Sequence, residues 1–425
     1  MPDTHKLSIA EAHALMSAGK LTAVRLAEDC LARVSAREPE VQAWVHIDAN
    51  AVLEEARACD RESRRSPLHG IPVGIKDIID VAGLPAEYGS PIYAGHRAQV
   101  DAACVAALRK AGAIIMGKTV TTEFAMRHPN KTRNPKNLAH TPGGSSSGSA
   151  AGVADFMMPL GLGTQTGGSV LRPSSYCGVV GFKPSFCLIN RSGVKPNSES
   201  LDTVGLIARS VPDVQLGLPV VTECAAPAVG EAGKPRIGLC RTPQWKSAEP
   251  ATVATLEAAA ATLARAGARV TEYQLPPAFD AMAAAHGVIN DYEAYRALSH
   301  ELRIAPGKIS ATLQPRIPRW AACTLEAYVS AQQTVADCRL MLRDVFKDYD
   351  ALLVPSAPGE APVTLNSTGE AIFNAIWTAL HVPAITLPAG RGPHGLPVGV
   401  QLVGAYGADY ALLACATWAE LKLSG

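Results

Sequence analysis

The chain has little of what would mark it for nucleic acid, a membrane or a metal. Aromatic residues make up 5% and charged residues 18% of its 425 residues, and the charges nearly cancel: 39 Lys and Arg against 38 Asp and Glu, a formal net charge of +1. With no basic stripe to follow a phosphate backbone, nucleic acid is not an expected partner. No apolar run approaches the ~20 residues that a membrane helix needs, so no membrane association is expected. The opening residues, MPDTHKLSIAEAHALM, lack the apolar stretch and small-residue cleavage site of a secretory leader, so the expected location is cytoplasmic. The ten cysteines include no Cys-x-x-Cys pair and the eleven histidines no His-Glu-x-x-His, so no metal site is expected. Most of the cysteines read as small buried hydrophobes in a reducing compartment.

What is present is apolar material in alternating patterns. Hydrophobic residues make up 48% of the chain, enough for a large core. Residues 8–37 read as two helices, the first opened by the capping box Ser8-Ile-Ala-Glu11. Strand-like runs follow in VQAWVHI, GIPVGIKDIID, AIIMGK, MPLGLGTQT and GVVGFKPS, with helical pieces such as DAACVAALRKAGA between them. KPRIGLCR, the alanine-rich 251–267 and ARVTEYQLP make a βαβ unit, 275–350 is mostly helical, and ALLVPSAP, PAITLPA and PVGVQLVG return to strand. The expectation is an α/β fold, a single-domain α/β/α sandwich around a large twisted mixed sheet. Within 1–425 it divides into an N-terminal helical region at 1–66, a core at 67–215 and a remainder at 216–425. AAPAVGEAGKP is the one linker-like stretch besides GGSSSGSAAG.

Three polar spots interrupt this background. In GIPVGIKDIID a strand would point Lys76 away from both Ile75 and Asp77, so its sequence neighbour is poorly placed to pair with it. Such a lysine is either a desolvated base or a strand-end lysine reaching solvent. GGSSSGSAAG, residues 143–152, has the composition of a flexible tether. The small and then apolar SAAGVADFMM after it suits a packed helix better. In GLGTQTGGSVLRPSSYCG an apolar strand runs into Gly167-Gly168-Ser169. Successive glycines before a serine either turn peptide N–H groups inward beside a nucleophile or make an ordinary turn.

Taken together, GIPVGIKD, GGSSSGSAAG, GTQTGGS, RPSSYCGVVGFKPS, LDTVGLIARSVPDV and GLPVGVQLVG resemble the amidase signature family over nearly the whole chain. Within that family the likeness to the compact bacterial malonamidase type is closest, through Gln165 and the Val-x-Arg-Pro order after Ser169. The resemblance implies Ser169 as nucleophile, Ser145 as a bridging serine after a cis peptide bond, and Lys76 as base. Thr166, Gly167, Gly168 and Ser169 would supply the oxyanion hole, and Ser147 would support Lys76 by a hydrogen bond. No cofactor is implied. The glycines and serines at 143–152 would then hold a fixed relay, not a tether.

The expected partner is a small-molecule amide. Leu171 stands where the family usually has arginine and Arg172 takes the next place. In malonamidase-like members an arginine there binds a substrate carboxylate, so Arg172, with Gly144 beside the relay, is the expected substrate contact; a structural ion pair is the competing role. Gln165 replaces a common Asp. His381, in TALHVPAITLP, stands where glycine is usual and either narrows the acyl pocket or packs in the core.

Three other functions compete. The first is a broader aryl-amide, ester or carbamate hydrolase of the same family. The second is an α/β-hydrolase with its nucleophile at Ser146 in Gly-Ser-Ser-Ser-Gly and a base at His381 or His394, disfavoured by the proline-rich NPKNLAHTPGG before it. The third is one subunit of an amidotransferase that works on charged tRNA, disfavoured by the near-neutral charge. Nothing in the sequence reads out oligomeric state; a homodimer is the working expectation.

Overall fold

The computed structural model describes residues 3–227 and 233–423. The linker-like AAPAVGEAGKP lies partly outside the described residues. The strands are β1 Trp44–Ile47, β2 Pro72–Lys76, β3 Ile114–Thr119, β4 Leu160–Gln165, β5 Val180–Lys183, β6 Thr203–Ala208, β7 Arg236–Leu239, β8 Arg269–Glu272, β9 Ala351–Pro355, β10 Ala384–Arg391 and β11 Pro397–Val403. They form one eleven-stranded mixed sheet in the order β1-β3-β2-β4-β6-β5-β10-β11-β9-β7-β8. The C-terminal strands rejoin the first part of the sheet, with β10 antiparallel to β5. β7 and β8 are parallel and flank the helix Pro250–Arg265, which is the βαβ unit expected there. The sequence does not single out β6 as a strand, although it joins β4 to β5.

Local chemistry explains the elements that matter. Ser8 and Glu11 form the reciprocal capping box that starts the first helix, Ile9–Ser17. β2 lies between β3 and β4, parallel to both, and all five of its residues are buried, as expected where both faces of a sheet are covered. The strand ends at Lys76 because the N–H groups of Ile78 and Ile79 both turn back to its carbonyl. Residues 143–152 are not a tether. They feed the helix Ser147–Ala154, every residue of which is buried. Gly148 is required there: a Cβ would lie 2.2 Å from the Ala43 carbonyl oxygen. A second fully buried helix, Leu171–Cys177, packs against the first and against the sheet.

A smaller apolar cluster joins the helices Met282–Ala297 and Leu325–Asp348 through residues such as Phe279, Ile289, Val335 and Trp377. This layer forms the outer wall of the cleft described next. Among the described residues no helix is long and apolar enough to cross a membrane.

Candidate active site

Lys76 and Gln165 are the last residues of the neighbouring parallel strands β2 and β4. The carboxyl ends of parallel strands are where open α/β sheets place their ligands. Lys76 has no exposed surface. Its Nζ lies 2.7 Å from Ser145 Oγ, 2.7 Å from Thr164 Oγ1 and 3.3 Å from the Thr164 carbonyl oxygen. Burial drives its pKa well below the ordinary lysine value, partly opposed by the charge of Asp202. A neutral amine has two N–H donors and one lone pair. In its neutral form the amine can place its two N–H groups on the oxygens of Thr164 and turn its lone pair to the Ser145 hydroxyl. The solvent-reaching alternative for Lys76 is therefore excluded. Asp77 turns away, as its strand position requires, and pairs with Lys118 at 2.8 Å.

The peptide between Gly144 and Ser145 is cis. Ser147 departs from expectation: its hydroxyl donates to the Val120 carbonyl at 3.3 Å and does not bond Lys76. It opens a helix two positions after Ser145, and residues that close on a helical path face different directions. Ser146, the elbow nucleophile of the α/β-hydrolase alternative, is buried with its hydroxyl against the backbone of Thr164. Neither proposed base bonds to it: His381 lies on Ser200 O and Arg339, and His394 on Glu360.

Ser169 is 9% exposed and lines a cavity of about 480 Å³ together with Thr166, Gly167 and Gly168. Its hydroxyl makes no hydrogen bond among the described residues; catalytic contacts of this kind often tighten only in the substrate complex. The Ser169 carbonyl accepts from the Ser146 N–H at 3.2 Å, tying the two serine segments together. Around the turn, His286 Nε2 holds the Thr166 carbonyl at 2.9 Å and Thr378 Oγ1 holds that of Gly167 at 2.7 Å. Trans peptides point N–H opposite to C=O, so these contacts also aim the N–H groups of Gly167 and Gly168. Among the described residues the N–H groups of Gly167, Gly168 and Ser169 donate to nothing, and free donors so grouped are able to hold an oxyanion. Gly168 must lack a side chain, since a Cβ would meet Asn374 Oδ1 at 2.5 Å.

Gln165, in the place of the usual Asp, accepts from the N–H groups of Val170 and Leu171 at 2.9 and 3.1 Å and donates to Thr378 at 3.0 Å. It thereby satisfies the start of the helix after the nucleophile. Asp202 is buried and receives the Thr166 hydroxyl at 2.5 Å and two backbone N–H groups. Burial raises its pKa, against those hydrogen bonds. Thr164, Asp202, His286 and Thr378 are site residues that the sequence alone does not single out. Thr164 stands in GLGTQTGGSVLRPSSYCG, Asp202 in LDTVGLIARSVPDV and Thr378 in TALHVPAITLP; only His286 lies outside every recognisable motif.

Arg172 is 7% exposed and lines the same cavity, but it sits on protein oxygens. Nη1 donates to the Gly369 carbonyl at 2.7 Å, and Nη2 to the Gly144 carbonyl at 2.6 Å and Thr368 Oγ1 at 3.1 Å. Each two-pronged face of a guanidinium uses Nη2, and both of its hydrogens are taken, so a bidentate grip on a substrate carboxylate is not open to Arg172. No carboxylate is in ion-pair contact with it among the described residues, so it is not the structural ion pair either. Nε is buried without a partner, and burial lowers the pKa of the group to about 10. Gly144 is not on the cavity wall; its Cα faces Thr368 and its carbonyl is held by Arg172. His381 is packed: its ring stacks on Phe186 at 3.9 Å, and burial with Arg339 beside it lowers its pKa to about 3.

Known proteins are similar to this chain in sequence and overall shape. The chain is 33% identical to a subunit of the glutamyl-tRNA(Gln) amidotransferase of Chloroflexus aggregans, covering 95% of this chain and 94% of that one. It superposes on the crystal structure of an amidase with a TM-score of 0.90 at 30% identity, covering 98% of this chain and all of the other. The peptide amidase of Stenotrophomonas maltophilia gives a TM-score of 0.84, also at 30% identity, covering 100% and 98% of the two chains. The Amidase family pattern matches residues 25–413. With the fold, the lysine–serine contact and the open N–H turn in place, the chain belongs to the amidase family and is an enzyme of amide C–N bond cleavage.

Proposed function

We propose that the protein hydrolyses a small, carboxylate-bearing amide of the malonamate kind through an acyl-enzyme on Ser169. The observation that carries the acyl-enzyme reading is the placement of Lys76, without exposed surface, with Thr164 on two sides and Ser145 Oγ at 2.7 Å. Entry of the amide brings the Ser169 hydroxyl onto Ser145. The Ser169 proton passes to Ser145 as the Ser145 proton passes to Lys76, and Ser169 Oγ bonds the carbonyl carbon. The oxyanion is held by the N–H groups of the turn Thr166–Ser169; removing one such donor costs about 3–4 kcal/mol. The proton returns through Ser145 to the amide nitrogen, the C–N bond breaks, and ammonia or an amine leaves. Water attacks the ester, gives its proton to the same relay, and releases the acid and free Ser169.

The carboxylate preference is supported by the excess of cations on the cavity wall, Arg127, Arg316 and Arg319 against Asp291 and Glu370. A panel of malonamate, neutral aliphatic amides, anilides, esters and carbamates tests the reading, with Ser169→Ala as control. Trapped acyl-enzyme and preferred turnover of the acid-bearing amides support it. Preferred turnover of anilides or carbamates would assign the broader hydrolase instead.

A second reading, one component of an amidotransferase complex, is favoured by the 33% identity, over 95% of the chain, to a protein of that kind. The two separate simply: turnover of small amides by the purified chain alone, as monomer or homodimer, supports the free-standing amidase. A chain inert by itself and activated by partner proteins supports the other.

A further inference from the structure

The relay and the oxyanion turn have a buried carboxylate at their back. β4 and β6 run antiparallel with Gln165 level with Thr203, so Thr166 and Asp202 are the next residues beyond that pair. Every contact of the Asp202 carboxylate comes from a donor. One oxygen takes the Thr166 hydroxyl at 2.5 Å, and the other takes the N–H groups of Asn197 and Ser198 at 2.8 and 2.9 Å. The Thr166 hydroxyl accepts from Asn197 Nδ2 at 3.3 Å, so its own hydrogen belongs to Asp202. Among the described residues no acceptor is left for a carboxyl proton, so the group is an anion although burial works to raise its pKa.

This anion is fixed in place. Arg191 donates to the Asp202 carbonyl at 3.0 Å. Glu293, from the helix Met282–Ala297, receives the Ser198 hydroxyl and, at 3.0 Å, the Ser200 N–H. It also stands close to the base. Thr164 holds Lys76 Nζ, Thr166 holds Asp202, and side chains two apart in an extended run share a face. Lys76 has no ion pair among the described residues, and the charge that opposes burial there is that of Asp202.

We propose that Asp202 is a positioning residue for the reaction: through the Thr166 hydroxyl it sets the start of the oxyanion turn, and it is the fixed negative charge against which Lys76 becomes a cation on taking the relay proton. This rests on the reading of Ser169 as the nucleophile of an acyl-enzyme. No proton reaches Asp202; the positive charge appears on Lys76 Nζ and leaves again with the proton. A carboxylate in contact would hold Lys76 as an ammonium, whereas one set behind Thr166 favours the cation without making it permanent.

The experiment follows kcat and KM for one amide against pH in the parent, Asp202→Asn, Thr166→Val and Thr166→Ser, with thermal unfolding as the check on folding. Besides Arg191 and Glu293, the titratable groups facing the pair are His286 on the Thr166 carbonyl, His381 on the Ser200 carbonyl and Lys183, which acts on His381. Burial lowers the pKa of both histidines, so they stay neutral through the limb, and Lys183→Met is run alongside to remove the titration of that lysine. Asp202→Asn keeps the shape and loses the charge. Its kcat should fall about tenfold or more with KM little changed. Its kcat/KM limb should move to lower pH, because protonated Lys76 is harder to form without the anion. Thr166→Val should lose kcat with the limb in place, and Thr166→Ser, which keeps the hydroxyl, should restore it. A purely structural Asp202 would leave the limb where it is. A limb unmoved in folded Asp202→Asn overturns the inference, and so does a Thr166→Val variant with the parent's kcat, a result that does not depend on Asp202→Asn folding. A Ser169→Ala variant that still cleaves the amide sinks the acyl-enzyme reading itself, and a parent that passes this control confines any failure to Asp202.

Discussion

Lys76 and Lys118 lie on the adjacent strands β2 and β3, each with no exposed surface, and they have been given opposite surroundings. Lys118 is level with Ile75, so the two lysines leave the sheet on opposite faces. Lys118 faces a carboxylate, Asp77, at 2.8 Å and donates to the Pro85 carbonyl. Lys76 faces only neutral oxygens, two from Thr164 and one from Ser145. Burial is common to both, so burial alone does not make a base. In the proposed mechanism the lysine denied a counter-ion and offered a hydroxyl is the proton acceptor, while the lysine given a carboxylate is a structural post. Lys183, also without exposed surface, is an intermediate case: it donates to two carbonyls, and burial lowers its pKa to about 7, but no hydroxyl chain leads from it.

The comparison breaks most visibly at Lys76. Lys76→Met should cut kcat by roughly 10⁴-fold or more, as loss of a member of a concerted triad does. Its thermal midpoint should be equal to or above that of the parent, because a buried amine has gone. In the parent, kcat/KM should rise with pH as Lys76 loses its proton and level off well below the ordinary lysine pKa. A limb still rising toward pH 10 would contradict the neutral-amine assignment.

Lys118→Met should act on stability in the first place. Leaving Asp77 buried without its cation costs about 3–5 kcal/mol in denaturant unfolding, and adding Asp77→Asn should recover most of that. Recovery absent from the double variant would mean that the pair is not the source of the loss.

Arg172→Met should lower kcat about 10- to 100-fold by loosening the Gly144 carbonyl beside the relay, a loss of roughly 1–3 kcal/mol in line with hydrogen bonds from a charged group. The loss should be equal for acid and neutral amides; a loss confined to acids would return the carboxylate to Arg172.

The smallest effect belongs to Lys183→Met, with turnover within about twofold of the parent. Between pH 7 and 10.5 the unfolded chain binds a proton at Lys183 that the folded chain lacks, so the parent gains stability as pH rises through that window. In the variant that part of the slope should vanish, leaving the contribution of Lys76, which has the same sign. An unchanged slope would show that Lys183 keeps its proton when buried.

The parts of this site that are legible in the sequence lie in contiguous motifs. Lys76, Ser145 and the turn 166–169 each sit in short runs whose glycines and serines have no other good use in a packed strand or helix. Thr164 is within reach, one residue before Gln165. Asp202, His286 and Thr378 are harder to read, because each arrives from a distant element: Asp202 and Thr378 stand inside LDTVGLIARSVPDV and TALHVPAITLP without a mark of their roles, and His286 stands in an alanine-rich helix. Ser147 misleads because proximity in sequence is not proximity of side chains across a helix start. The strands themselves are mostly visible from apolar alternation, but their order in the sheet is not, since β10 and β11 lie between β5 and β9 by contacts that no local pattern encodes.

The oxyanion turn is clasped by His286 and Thr378, residues far downstream of Ser169. During synthesis, lysine, bridging serine and nucleophile all leave the ribosome well before these two clasps exist. The turn as the structure shows it is therefore completed only when both downstream helices have docked onto it.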